Sequence, residues 1–202
     1  MNVLDTTPPL LTLIGNAAIT LECGVDSYVE DGASVTDDSD PNVVVVIGGD
    51  VVDVSSPGVY TVTYNATDAA GNVAVPVARV VTVVDTIAPV LTLNGDAAVT
   101  LECGVEGYSE LSASVSDACD QNVTVVVGGD TVDPSTPGIY TVTYDATDSS
   151  GNVAVQLTRT VTVGDTLPPV ISLLGEPTPG GGGSPGELTF IATYKNGRNG
   201  ID

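Results

Sequence analysis

An all-β chain of tandem 80-residue β-sandwich modules is the fold that the sequence predicts, and three observations carry it. The first is self-similarity: DTTPPLLTLIG begins at Asp5, DTIAPVLTLNG at Asp85 and DTLPPVISLLG at Asp165, so 85 − 5 = 165 − 85 = 80 residues. Second, short apolar runs alternate with turn signals at the spacing of sandwich strands. Third, the chain is rich in Val and Thr, with 23 Gly, 13 Pro, no Trp and one Phe, which favours strands and tight turns over long helices.

Each repeat opens with D-T-x-x-P, which reads as a linker because Pro8 and Pro9 stiffen the chain and donate nothing to a ladder. The predicted strands follow as LLTLIG, AITLEC, NVVVVI, YTVTYNAT and VARVVTVV, with Gly48-Gly49-Asp50, Ser56-Pro57-Gly58 and Ala70-Gly71-Asn72 among the breaks. Alternation puts Tyr60, Val62 and Tyr64 on one face and Thr61 and Thr63 on the other, and the tyrosine face is expected inward. The organisation predicted is the end of a preceding strand at 1–4, modules at 5–84 and 85–164, the start of a third repeat at 165–175, a Pro/Gly-rich linker at 176–186 and a strand-like tail at 187–202.

The net charge is −22, and the basic residues are Arg79, Arg159, Lys195 and Arg198 alone. Such a field opposes phosphate backbones and anionic membranes, so no nucleic-acid partner is expected. No apolar run reaches membrane-spanning length, and no membrane insertion is expected. Met1 to Leu4 lacks the basic start and apolar stretch of a signal peptide, so secretion rests on indirect argument.

The motifs D-T-x-x-P, T-L-E, P-G-x-Y-T-V-T-Y-x-A-T-D-x-x-G-N and R-x-V-T-V together resemble the tandem immunoglobulin-like repeats of bacterial surface proteins, related to the hyalin repeat family. The likeness covers both full repeats, residues 5–164. It implies an immunoglobulin-like sandwich in an extracellular or cell-surface stalk, adhesin or filament, a multi-copy spacer without a catalytic centre. The alternative function is a carbohydrate- or receptor-binding adhesive module, or an accessory domain of a secreted enzyme. Sugar binding usually needs exposed rings, and the candidates are Tyr28 and Tyr108.

The chain has no His, which removes the commonest general base and most zinc sites. Paired carboxylates can run glycoside hydrolysis, but an active site is built once, whereas these acids recur at the repeat period; no enzymatic role is expected. Calcium, a hard cation taking oxygen ligands, uses repeated carboxylates better. Threaded as an ordinary sandwich, the chain brings Asp5, Asp37, Asp38, Asp40, Asp68 and Asn72 to one pole. The equivalent set is Asp85, Asp117, Asp120, Asp148 and Asn152, at the junction between repeats. The plainer alternative is that Asp68 and Asn72 only shape a turn.

Cys23 and Cys103 are equivalent, whereas Cys119 aligns with Ser39, so only the second repeat contains an internal pair. A Cys103–Cys119 bridge would close a loop of 119 − 103 = 16 residues and contribute about 3 kcal/mol. L-E-C with D-x-C-D resembles disulfide-bearing members of the family, which would leave Cys23 as a buried thiol. Asn65-Ala66-Thr67 and Asn122-Val123-Thr124 match the glycosylation acceptor pattern. Arg79 and Arg159 are expected to pair with carboxylates on neighbouring strands at the surface, where deletion would be mild. The expected partners are copies of the chain or adjacent repeats, joined by strand addition from Val170–Gly175 or Glu187–Tyr194, or a surface glycan or receptor.

Overall fold

The computed structural model describes residues 4–172, 191–193 and 199–200, and every regular element among them is a strand. The chain divides into two compact units. The first comprises Met1–Pro89 with Ser116–Val123 and Asp148–Asn152; the second comprises Val90–Val115, Thr124–Thr147 and Val153–Asp202.

The first repeat folds as β1 (Leu10–Leu13), β2 (Ala18–Glu22), β3 (Ala33–Thr36), β4 (Val46–Gly49), β5 (Gly58–Asn65) and β6 (Val77–Val84). One sheet has the order β2-β6-β5-β4 and the other pairs β1 with β3. All pairings are antiparallel except β2 with β6, which run parallel from Ala18↔Val80 to Glu22↔Val84. The second repeat repeats the order as β7 (Val90–Leu93), β8 (Ala98–Glu102), β9 (Ala113–Ser116), β10 (Val126–Gly129), β11 (Gly138–Asp145) and β12 (Leu157–Gly164).

Period-two patterning decides which side chains go inside. On β5, Val62 and Tyr64 are buried, with Tyr64 at 0% exposure, while Val59 faces solvent. On β6, Arg79, Val81 and Val83 are buried and Ala78 and Val80 are exposed. In the first unit Leu11, Ala66 and Ala74 pack with Ala33, Val35, Val43, Val45 and Val77, joining the two sheets. In the second, Leu101, Cys103, Val161 and Val163 pack with Val99, Tyr108, Val132 and Tyr140. Each fully buried valine in such a core contributes roughly 1.5–3 kcal/mol.

The strands differ from expectation in two places. Ala33–Thr36 forms β3, although ASVT is too short and small to stand out as an apolar run. NVVVVI does not pair as a whole; β4 starts at Val46 and runs through Gly48 and Gly49. The glycines are there because β5 lies close: a Cβ on Gly49, at φ +83, would come within 2.2 Å of the Thr61 carbonyl oxygen.

The cysteine pairing also requires correction. Cys119 bonds to Cys23 across 96 residues, and Cys103 is a free, buried thiol. The D-A-C-D turn belongs to the first unit, where its backbone touches the segment after β2: a Cβ on Gly24 would lie 2.1 Å from the Ala118 carbonyl oxygen. Cys103 belongs to the second unit and points into its core. Repeat arithmetic treats each repeat as closed upon itself and so misses a pair that spans two.

Beyond the second repeat, β13 (Val170–Ser172) pairs antiparallel with β14 (Ile191–Thr193), which pairs with β15 (Asn199–Gly200). The linker expected at 176–186 lies outside the described residues, as do Met1–Val3 and the remainder of the strand expected at 187–194.

Candidate cation sites and buried arginine clusters

Three turns build each carboxylate group. Asp5 precedes the prolines of the linker, Asp37 follows β3, and Asp68 lies in the turn after β5; one carboxylate oxygen from each lies within 4.8 Å of the others. Asp85, Asp117 and Asp148 form the equivalent group. The chain organises these turns with its own amides. Asp37 Oδ1 accepts from the Ser39 and Asp40 amides at 3.0 and 2.8 Å, and Asp117 Oδ1 accepts from Cys119 and Asp120, both at 2.8 Å. Asp68 accepts from the Asn72 amide and side chain at 2.8 and 2.7 Å, and Asn72 Nδ2 also donates to the Asp5 carbonyl at 3.3 Å. Asn152 repeats this with Asp148, both bonds at 2.8 Å, and with the Asp85 carbonyl at 3.2 Å.

Burial works against the charges of Asp68 and Asp148, but bonds from the asparagine side chain and from turn amides outweigh it, so both carboxyls titrate below the ordinary aspartate value. The other oxygens of Asp37 and Asp117, Oδ2 in each case, are buried with no hydrogen-bond partner. A buried carboxylate oxygen without a donor, beside two further carboxylates, is costly unless a cation satisfies it. Hard oxygen donors at this spacing suit calcium.

The remaining residues expected at the poles play other parts. Asp40 and Asp120 brace the turns, accepting from the Ala69 and Ser149 amides, each at 3.0 Å. Asp38 is exposed and accepts from Ser39 Oγ at 3.3 Å. Asn65 ends β5 half-buried, and Asn122 lies exposed in the D-A-C-D turn region.

The arginines depart from expectation. Arg79 and Arg159 are 0% and 1% exposed, so neither makes a surface pair. Arg79 Nε donates to the Asn16 carbonyl at 3.0 Å, Nη2 to the Ile14 carbonyl and Nη1 to Glu30. Glu30 also accepts from the hydroxyls of Tyr28 and Tyr64 and from the Gly32 amide, the last at 2.6 Å. The Arg79 guanidinium carbon lies 5.9 Å from the Tyr64 ring centroid. In the second repeat Arg159 pairs with Glu110, which accepts from Tyr108, Tyr144 and the Ser112 amide. Burial disfavours charge on Glu30 and Glu110, yet the tyrosine hydroxyls, backbone amides and arginines hold both below the ordinary glutamate value. Burial and the same carboxylates push Tyr64 and Tyr144 far up. Tyr28 and Tyr108, the candidate sugar platforms, are half-buried with their hydroxyls committed to these clusters.

A glutamate at the end of β2 also holds the linker to the next repeat. Glu22 accepts from Thr86 N at 2.7 Å and Thr86 Oγ1 at 2.9 Å; Glu102 accepts from the same atoms of Thr166 at 2.9 and 2.6 Å. This accounts for L-E and D-T recurring together in the sequence.

The family model for the bacterial surface protein, Ig-like domain, matches residues 11–83 and again 91–163. The chain belongs to that family. The Ig-like chain is 35% identical over 188 residues to hyalin of Strongylocentrotus purpuratus, covering 85% of this chain and 15% of that protein. With hyalin of Lytechinus variegatus it shares 33% over 181 residues, 84% of this chain and 34% of that protein. Internalin I of Listeria monocytogenes is 34% identical over 116 residues, 57% of this chain and 6% of that protein. This is an extracellular or cell-surface Ig-like repeat module, spanning about a third or less of the length of each of these relatives.

Proposed function

We propose that the two Ig-like repeats serve as non-enzymatic spacers of a surface stalk, adhesin or filament, stiffened by calcium at Asp5, Asp37 and Asp68 and at Asp85, Asp117 and Asp148. The observation that carries this reading is the buried, unpartnered Oδ2 of Asp37 and of Asp117, each in a group of carboxylates from three separate turns. Calcium there would replace mutual repulsion by shared ligation and tie the linker to both turns, while water or main-chain oxygens complete its shell. Spacer function needs stiffness rather than turnover, and duplicated acids without any His fit that need.

Surface glycans or receptors are a weaker reading, because Tyr28 and Tyr108 spend their hydroxyls on Glu30 and Glu110. Assembly by strand addition draws less support from the tail, since β13 and β14 pair with each other.

Melting followed with calcium and with chelator tests the proposal. Ligand binding to the folded state raises the melting temperature by linkage, and weak extracellular sites should respond at about 0.1–1 mM calcium. Asp37→Asn combined with Asp117→Asn should abolish the response. An unchanged melting temperature across that range would sink the calcium reading and leave the acids as solubilising charges.

A further inference from the structure

The inner face of the second repeat stays open beneath its edge strand. The larger sheet runs β10-β11-β12-β8, whereas the other sheet of the repeat has β7 and β9 among the described residues, so two strands face four. Register shows where cover is missing. Val127 lies opposite Tyr144 and Gly129 opposite Val142, and directly opposed residues share a face of the sheet. Tyr144 and Val142 are buried, at 0% and 4% exposure, yet Val127 on that same face is 45% exposed. All four residues of β10 are open to solvent.

An open cavity of about 390 Å³ occupies this place, lined by Val127, Val132, Val142, Tyr108, Glu110 and Asp130, with the main chain of Gly128 and Gly129 along β10. Its volume is that of a ligand pocket rather than of a packing void. The polar groups have acceptor capacity to spare. Glu110 Oε1 accepts from Arg159, Tyr144 and the Ser112 amide, while Oε2 accepts from Tyr108 alone. Asp130 Oδ2 accepts from the Thr141 amide at 2.7 Å, and Oδ1 accepts from nothing among the described residues. Arg159 compensates Glu110, so Asp130 is the uncompensated charge. The two arginines among the described residues are both buried in their own clusters, and a chain of net charge −22 draws cations from outside.

We propose that this cavity is a docking pocket for a lysine side chain carried on an extended segment of a partner protein. The aliphatic stem lies along Val127, Val132 and Val142. The ammonium meets the Tyr108 ring, whose hydroxyl is already spent on Glu110, and donates to Asp130 Oδ1 and Glu110 Oε2. Single acceptors on two different side chains suit the rotatable donors of an ammonium, whereas a guanidinium fork prefers both oxygens of one carboxylate. The partner's main chain follows the exposed edge of β10. The pocket is independent of the calcium reading, since neither acid belongs to the two carboxylate groups.

The test titrates two blocked peptides, Thr-Val-Lys-Val-Thr and the same with norleucine for lysine, into the isotope-labelled full chain. Salt is held at about 0.15 M, where exposed charges more than about 8 Å apart are screened. The lysine peptide should shift the amide resonances of Val127, Gly128 and Asp130 saturably. Norleucine keeps the stem without the charge and should bind about tenfold more weakly, or less still. Read at the same amides, Asp130→Asn should lower the affinity for lysine about tenfold while keeping an acceptor for the Thr141 amide. Asp53→Asn, the same charge change at an exposed position of the first repeat, should leave it unaltered. Equal affinities for lysine and norleucine would overturn the proposal, and equal losses in the two variants would reduce it to attraction by net charge. It also fails if millimolar lysine peptide gives no saturable shift, or if a neutral oligosaccharide alone moves these amides. The peptide comparison uses the parent chain, so a variant that does not fold leaves the test intact.

Discussion

Arg79 is a cation held at zero exposure by a carboxylate, two tyrosines and two main-chain carbonyls, and the energetics follow from what each partner would lose. Removing one member of a buried pair strands the other. Arg79→Met should therefore cost about 3–5 kcal/mol in urea unfolding, and Arg79→Met with Glu30→Gln together should cost less than the single change. Arg159 with Glu110 should behave alike. The sequence showed a lone arginine in an acidic repeat and its need for a carboxylate, but not its depth, because nothing in R-x-V-T-V distinguishes an arginine facing in from one facing out. Strand parity offered the missing signal: Arg79 shares a face with Val81 and Val83, which are core. A second residue-scale consequence comes from Ser112, which adopts φ 61° where the first repeat has Gly32 at 81°. Ser112→Gly should raise stability by roughly 0.5–1 kcal/mol, because serine carries a left-handed penalty that glycine lacks. A melting temperature that does not rise would show that the serine has compensating contacts.

At the scale of elements, the D-A-C-D turn joins two kinds of chemistry. Cys119 is covalently fixed to Cys23 while its amide, with that of Asp120, orients Asp117. The equivalent turn carries Ser39 and has no such tether. If both groups hold calcium, Cys119→Ser should weaken binding severalfold at Asp85, Asp117 and Asp148 and leave Asp5, Asp37 and Asp68 unchanged. Calorimetric titration should resolve this as one shifted class of site and one constant class; equal affinities in the variant and the parent would detach the disulfide from the site. The convergence of these turns was legible beforehand, since strand order in a sandwich dictates which loops share an end. What escaped the sequence were features set by partners distant along the chain. β3 was invisible because ASVT acquires meaning only beside β1. Gly48 and Gly49 looked like a break because close approach to β5 leaves no mark in their own segment.

For the whole molecule, 26 acidic residues against 4 basic ones make stability strongly dependent on pH. Glu30, Glu110, Asp68 and Asp148 titrate below their ordinary values when folded. The unfolded chain thus takes up protons first, so the stability they supply is present above the ordinary carboxylate range, about pH 4, and is lost as pH falls through the folded values. Tyr28, Tyr64, Tyr108 and Tyr144 are shifted upward, chiefly by burial, so their contribution is whole below about pH 10 and lost as pH rises through the folded values. Urea midpoints should therefore form a plateau with falling acid and alkaline limbs, and the tyrosinate absorbance of these four rings should appear only together with alkaline unfolding. An early tyrosinate signal equal to that of all seven tyrosines would refute the buried clusters. The parallel pairing of β2 with β6 has a mechanical side as well. These strands lie toward opposite chain ends of one repeat yet run in the same direction, so tension applied through the backbone slides them lengthwise past each other. Their hydrogen bonds then share the load together instead of parting one at a time, as in an unzipping hairpin. Each repeat thereby carries its own shear-resistant fastening, a property that suits a tether under drag.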